Sequence, residues 1–210
     1  MLAETNQAHV LKYRLGNPPI TELPDVTASI SMLSLSSTLS AGQLLELAHI
    51  LKLARELKKY FFAEIDVSAL TILSQYFNEL YNNSGIEETV LQAIIDESTI
   101  DDRASSELMQ IRKNMRKTES NIRSKLASYL NSKYIQEPVI TIRSGRFVIP
   151  VKQEYRFEIK GFVYDISASG STVFIEPMAV FDLNNELNEL KLKEELEIQK
   201  ILERLSALFV

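Results

Sequence analysis

Arg143 and Arg146 bracket a Ser144-Gly145 pair, and Lys152, Arg156 and Lys160 follow at short intervals. Cationic side chains around a turn suit phosphate oxygens, where each neutralised phosphate releases counterions and makes affinity fall with salt. Such contacts hold a nucleic-acid backbone and read no base sequence. These five are the predicted nucleic-acid-binding residues. Phe147, Tyr155 and Phe157 are interleaved with them and could stack on bases, although alternating strand positions favour a place in the core.

Other chemistries find less support. No G-x-x-x-x-G-K-[ST] loop occurs, so the sequence does not encode nucleotide hydrolysis. The Ser167-Ala168-Ser169-Gly170-Ser171 run could expose amides to an anion, but it lacks a lysine and precedes a strand, as a hairpin connection does. Its serines have no neighbouring base to activate them. Asp165 and Glu176 flank that run as a geometric acid–base pair, yet Glu176-Pro177 reads better as a strand end opening into a helix. Asp101-Asp102 reads as a helix-opening signal rather than a cation cage, and Asn184-Asn185-Glu186 as polar packing at the root of a helix. Without cysteine, and with His9 and His49 on separate segments, thiolate metal sites and disulfides are excluded and a histidine-based site is disfavoured. No catalytic residue, metal ligand or cofactor site is predicted within the chain.

The charge balance is uneven. The net charge is -5, but from Arg103 to Lys160 thirteen Lys and Arg stand against five acids, leaving +8 there and -13 elsewhere. That split makes a basic face on an acidic body possible; the competing reading is the solvated basic side of a long helix. A hydrophobic content of 45% suffices for a buried core. No apolar run reaches the roughly 18 residues of a membrane span and no signal peptide is recognisable, so a cytoplasmic protein is expected.

The elements that must position the cations are mainly α, with a small antiparallel β module. Gly16-Asn17-Pro18-Pro19 and Pro24 mark residues 1–38 as an irregular connector. Ser40-Ala41-Gly42-Gln43 matches a capping box and opens a helix to Phe61; a second helix spans Ser68 to Leu80; Ser84-Gly85-Ile86-Glu87 caps a third, to about Ile95. Leu108, Ile111, Met115, Ile122, Leu126 and Leu130 predict one long helix from Ser105 to Lys133, and Leu183 to Leu208 a returning one over Ala179–Val210. Between them, 139–143 with 146–151 and 162–166 with 172–175 alternate as two hairpins, Pro150 implying an edge strand or bulge. The expected layout is a helical core and outgoing helix over 39–137, a β-rich module over 138–177, and the returning helix over 178–210. The last residues, Ala207-Leu208-Phe209-Val210, carry no helix-stop signal, which suggests a piece cut from a longer chain.

Three stretches, Thr141-Ile-Arg-Ser-Gly-Arg-Phe-Val-Ile-Pro-Val-Lys152, Gly161-Phe-Val-Tyr-Asp-Ile-Ser-Ala-Ser-Gly-Ser-Thr-Val-Phe-Ile-Glu-Pro177 and Leu183-Asn-Asn-Glu-Leu187, resemble the MutS-two branch of the bacterial MutS family. Asp101-Asp-Arg-Ala-Ser-Ser-Glu-Leu108 does too, so the similarity runs from about Leu39 onward. Tyr164 departs from the pattern, which has His before the Asp, and a role for that imidazole does not carry over. The resemblance implies a core and lever region with a clamp at its tip, in a homodimer whose arms encircle branched or double-stranded DNA. It further implies an ATPase domain, using ATP and magnesium, and an Smr endonuclease domain, both outside this sequence. The branch is associated with suppression of recombination and with rescue of collided ribosomes, so a ribosome or a second subunit is the alternative partner.

Overall fold

The computed structural model describes residues 2–63 and 70–210. The chain divides into two units, Met1–Ala104 with Gln199–Val210, and Ser105–Ile198. The architecture is mainly α with small antiparallel sheets.

In the first unit α1 (Leu2–Leu15) and α2 (Thr27–Ser34) precede α3 (Ala41–Phe61). The expectation of irregular backbone over 1–38 is therefore corrected. The Gly16-to-Pro24 signals separate two helices rather than abolish them, and the Gly16 amide closes on the Lys12 carbonyl at 2.9 Å. α1 escaped notice because it lacks an apolar stripe, with Leu11 its buried residue. α3 begins where its capping box predicts: the Gln43 amide donates to Ser40 Oγ at 3.3 Å and the Ser40 amide to Gln43 Oε1 at 3.0 Å. Leu44, Leu47, Ala48, Leu51 and Ala54 form its buried face.

α4 (Thr71–Glu79) is shorter than predicted, and its expected start at Ser68 lies outside the described residues. Phe77 stacks on the buried Phe61 at 4.2 Å. α5 (Ser84–Ala93) opens on Asn83, whose Oδ1 accepts from the Ile86 amide at 3.2 Å. Glu87 does not complete a capping box; its buried carboxylate takes two hydrogen bonds of 2.8 Å from Arg55 instead. Burial and a cation on α3 outcompete the local cap. The stretch predicted as the end of α5 turns into a short hairpin, β1 (Ile94–Asp96) and β2 (Thr99–Ile100). The final turns of α7 (Met178–Ser206) also belong here; Ile201 and Leu205 are buried, and Ser206 Oγ accepts from the Leu39 amide at 2.9 Å. α7 stops at Ser206 and continues as a single 3-10 turn, Ala207–Phe209.

The second unit starts on Ser105, which caps α6 (Ser106–Leu130) by accepting from the Leu108 amide at 2.9 Å. α6 is one unbroken helix of 25 residues, about 37 Å long. The part of α7 in this unit runs antiparallel to it, as four ties show: Ser105 to Glu197 (2.7 Å), Arg112 to Glu194 (2.6 Å), Thr118 to Glu186 (3.2 Å) and Lys125 to the Ala179 carbonyl (3.2 Å). As one residue number rises the other falls.

Between these helices the chain forms β3 (Thr141–Arg143), β4 (Arg146–Lys152), β5 (Gly161–Ile166) and β6 (Thr172–Pro177), ordered β3-β4-β6-β5 and antiparallel throughout. Ser144 and Gly145 both have positive φ, 49° and 76°, the backbone of a tight two-residue hairpin. Phe147, Ile149, Val151, Val173 and Ile175 face Ile122 and Leu126 of α6 and Val180 and Leu187 of α7. Pro150 does not mark an edge: β4 is interior. The β3 ladder ends at Val148, and past it Pro150 only accepts, from the Gln136 amide at 2.9 Å. The missing donor thus falls beyond the β3 ladder, beside the isolated Ile135–Val151 bridge.

Candidate nucleic-acid interface

The five predicted cations fall into unlike environments. Arg146 opens β4, and its side chain is 11% exposed against Glu176, which is 0% exposed. Nε lies 3.0 and 2.9 Å from the two carboxylate oxygens, and Nη2 donates to Asn185 Oδ1 at 2.7 Å and to the Phe181 carbonyl at 3.3 Å. The guanidinium also lies 5.4 Å from the Tyr164 ring centre and 5.3 Å from that of Phe181. Nε and Nη2 are thus held inside the unit by a buried carboxylate, an amide and a carbonyl, an environment unlike that of a cation offered to a phosphate. A guanidinium in a strand lined by apolar neighbours is buried only when its charge is matched, and Glu176 matches it.

Asn184 completes this cluster. Its Oδ1 accepts from the Phe147 amide at 3.0 Å and its Nδ2 donates to the Phe147 carbonyl at 3.1 Å. The same Nδ2 also donates to Glu176. This is the polar packing that Asn184-Asn185-Glu186 suggested, at the root of α7. Burial first, then the Glu176 carboxylate, hold the Tyr164 phenol above the ordinary range.

Arg143 lies across the outer side of the sheet. Its guanidinium sits 4.1 Å from the Phe174 ring centre and its Nε lies 3.1 Å from Asp165, with the side chain 37% exposed. Lys152 ends β4, its Nζ donating to the Lys133 carbonyl at 3.1 Å. Arg156 is exposed and packs over Phe157, 4.2 Å from its centroid. Lys160 is exposed just before β5. β4 alone separates Arg146 from Lys152 by about 20 Å, so the five do not form one patch. The aromatics divide too: Phe147 is core, Tyr155 packs against Tyr134 at 5.2 Å, and Phe157 is 81% exposed.

A longer row of cations lies on α6, which sequence reading counted in the basic stretch but did not single out. Lys113, Arg116, Lys117 and Arg123 are exposed, and at about 100° per residue they share an arc of about 120°. The opposite side of the helix carries the buried Leu108, Ile111, Thr118, Ile122 and Leu126. Four of the stretch's cations thus lie on the water side of α6, while Arg112 and Lys125 of the same helix bond to Glu194 and the Ala179 carbonyl of α7.

Asp165 faces Arg143 and Glu176 faces Arg146, so the two carboxylates do not meet as an acid–base pair. The Ser167-to-Ser171 run is a hairpin loop closed by the Ser167 amide on the Thr172 carbonyl at 2.9 Å. Asp101 accepts from the Arg103 amide at 2.7 Å, ahead of the 3-10 turn Asp102–Ala104 that leads to the Ser105 cap. Among the described residues no three His, Asp or Glu groups gather as a metal site, and no helix is long and apolar enough to cross a membrane.

No protein-family profile matches the chain. It is 40% identical to the "Endonuclease MutS2" of Ruminiclostridium cellulolyticum over 98% of its own length and 26% of that protein's. Against the protein of the same name from Acetivibrio thermocellus it is 42% identical over 97% of its length and 26% of the relative's, and against that of Alkaliphilus oremlandii 39% over 98% and 26%. The chain therefore spans about a quarter of the length of the curated relatives it matches, and along nearly all of its own length it is homologous to proteins named Endonuclease MutS2.

Proposed function

We propose that this chain is the core, lever and clamp region of a MutS2-type protein and holds branched or double-stranded DNA by its phosphates, with ATP hydrolysis and any nuclease activity in other parts of the protein. The observation that carries the reading is the row Lys113, Arg116, Lys117 and Arg123 on the water side of α6. A rigid helix presenting cations along one side over about three turns matches a phosphate backbone without reading sequence. Lys133, Lys152 and Lys160, with Arg143 in part, extend the basic surface into the β module. Arg146 is withdrawn from it and serves the fold. Names of the relatives support a nucleic-acid substrate for them.

A second reading, in which the region is chiefly an assembly or ribosome-contacting element, draws on Leu192 and Leu196 of α7. They are 61% and 64% exposed and four residues apart on one helix side.

The test is charge reversal in the full-length protein. Lys113→Glu with Lys117→Glu and Arg123→Glu is expected to weaken duplex DNA binding at least about tenfold at moderate salt. Unchanged DNA affinity in that variant, with Leu192→Ser and Leu196→Ser abolishing self-association or ribosome binding, would transfer the function to the second reading.

A further inference from the structure

Phe157 is the most exposed aromatic residue in the described second unit, at 81%. It is not a loose end. The preceding 3-10 turn, Gln153–Tyr155, is followed by Arg156, whose amide donates to the Gln153 carbonyl at 3.3 Å, and by a Glu158-to-Tyr155 backbone bond of 3.0 Å. Tyr155 on one side packs against the sheet core, and Ile159 on the other is buried in it. The ring therefore projects from a segment pinned at both ends. One of its faces carries the Arg156 guanidinium at 4.2 Å; the other is open to water.

Phosphate attraction alone does not account for this turn. Over 152–158, Lys152 and Arg156 are balanced by Glu154 and Glu158. A turn of zero net charge gains little from a polyanion. A flat apolar ring with a cation on its back, by contrast, is suited to the face of an unstacked base, which any of the four bases can offer. Lys133, whose ammonium lies 5.5 Å from the ring of Tyr134, which packs on Tyr155, stands next to the turn, where a strand's phosphates would follow.

We infer that Phe157, backed by Arg156, is a stacking platform for an unpaired nucleobase, so that the protein favours nucleic acid with single-stranded bases at a fork or junction over a flush duplex. This rests on the phosphate-contact reading for delivery of the strand, but not on the residues of α6. The geometry requires an extruded base, because bases inside a duplex have both faces covered.

The experiment compares full-length wild-type protein with Phe157→Ala and Phe157→Trp on a forked DNA and a flush duplex of the same paired sequence. A 2-aminopurine in the unpaired arm reports stacking, and a fork with an RNA arm shows which sugar is preferred. Wild type and Phe157→Trp are expected to favour the fork and quench the 2-aminopurine. Phe157→Ala is expected to lose about five- to 150-fold on the fork, with duplex affinity unchanged. Equal affinity of wild type for fork and duplex, or a fork preference that survives Phe157→Ala, overturns the platform while leaving the α6 contacts standing. Loss of binding to the fork and duplex alike in Phe157→Ala also overturns it. Absence of any DNA binding by wild type overturns both readings.

Discussion

The carboxamide of Asn184, near the start of α7, pairs with both main-chain polar groups of Phe147 in β4, accepting from the amide and donating to the carbonyl. This side chain thus acts as a further strand at a point where the sheet meets a helix. Asn184→Ala leaves two buried backbone groups without partners, at a cost of about 2–4 kcal/mol. Urea unfolding of the variant checks it; a midpoint equal to wild type would mean that water replaces the amide.

Arg146 and Glu176 should behave as a buried pair rather than as a ligand contact. Arg146→Ala leaves Glu176 uncompensated and is expected to cost about 3–5 kcal/mol, whereas Arg146→Met combined with Glu176→Leu should cost clearly less than the two single changes together. A double-mutant cycle by denaturant titration gives the coupling, and additive losses would contradict the pairing.

Glu87 links stability to pH. Its hydrogen bonds from Arg55 hold its carboxyl below the ordinary 4.5. The folded value lies below the unfolded one, so the stabilisation is fully present above about pH 4.5 and is lost as acid takes the pH down through the folded value. Unfolding free energy should fall with acidification in that window, and Glu87→Gln should flatten the slope. An identical acid slope in the variant would assign the dependence elsewhere.

Two glycine replacements should differ in sign. A Cβ on Gly161 would lie 2.1 Å from the Glu176 carbonyl oxygen, where the β5–β6 ladder closes. Gly161→Ala is expected to destabilise by about 1–3 kcal/mol. In the first turn of α3 a Cβ on Gly42 meets only the Glu97 side chain, at 3.4 Å, so Gly42→Ala should stabilise by up to about 1 kcal/mol. Thermal melts of the pair settle the order.

What could be read from the sequence was what local rules govern. The Ser40–Gln43 capping box, the unbroken α6 and the Ser144-Gly145 turn depend on residues within a few positions of one another, and all three are found as expected. The partners of Glu87 and Arg146 were not legible for the opposite reason. Each of these two residues satisfies a local pattern, a cap or a turn, but is drawn off by a partner about thirty residues away, Arg55 and Glu176. The exposure of Phe157 was similarly hidden, because alternation cannot distinguish a strand from the 3-10 turn that follows β4. The cations of α6 were visible as charge, and only the helix's buried side showed which way they face.

The most direct test of the phosphate-contact claim is the slope of log affinity against log salt for a flush duplex, measured for the full-length protein and for Lys113→Glu, Lys117→Glu and Arg123→Glu combined. Each lost phosphate contact should reduce the slope by about 0.9, so the triple variant is expected to be shallower by about two to three. An unchanged slope with unchanged affinity would contradict the assignment of α6 to the DNA backbone.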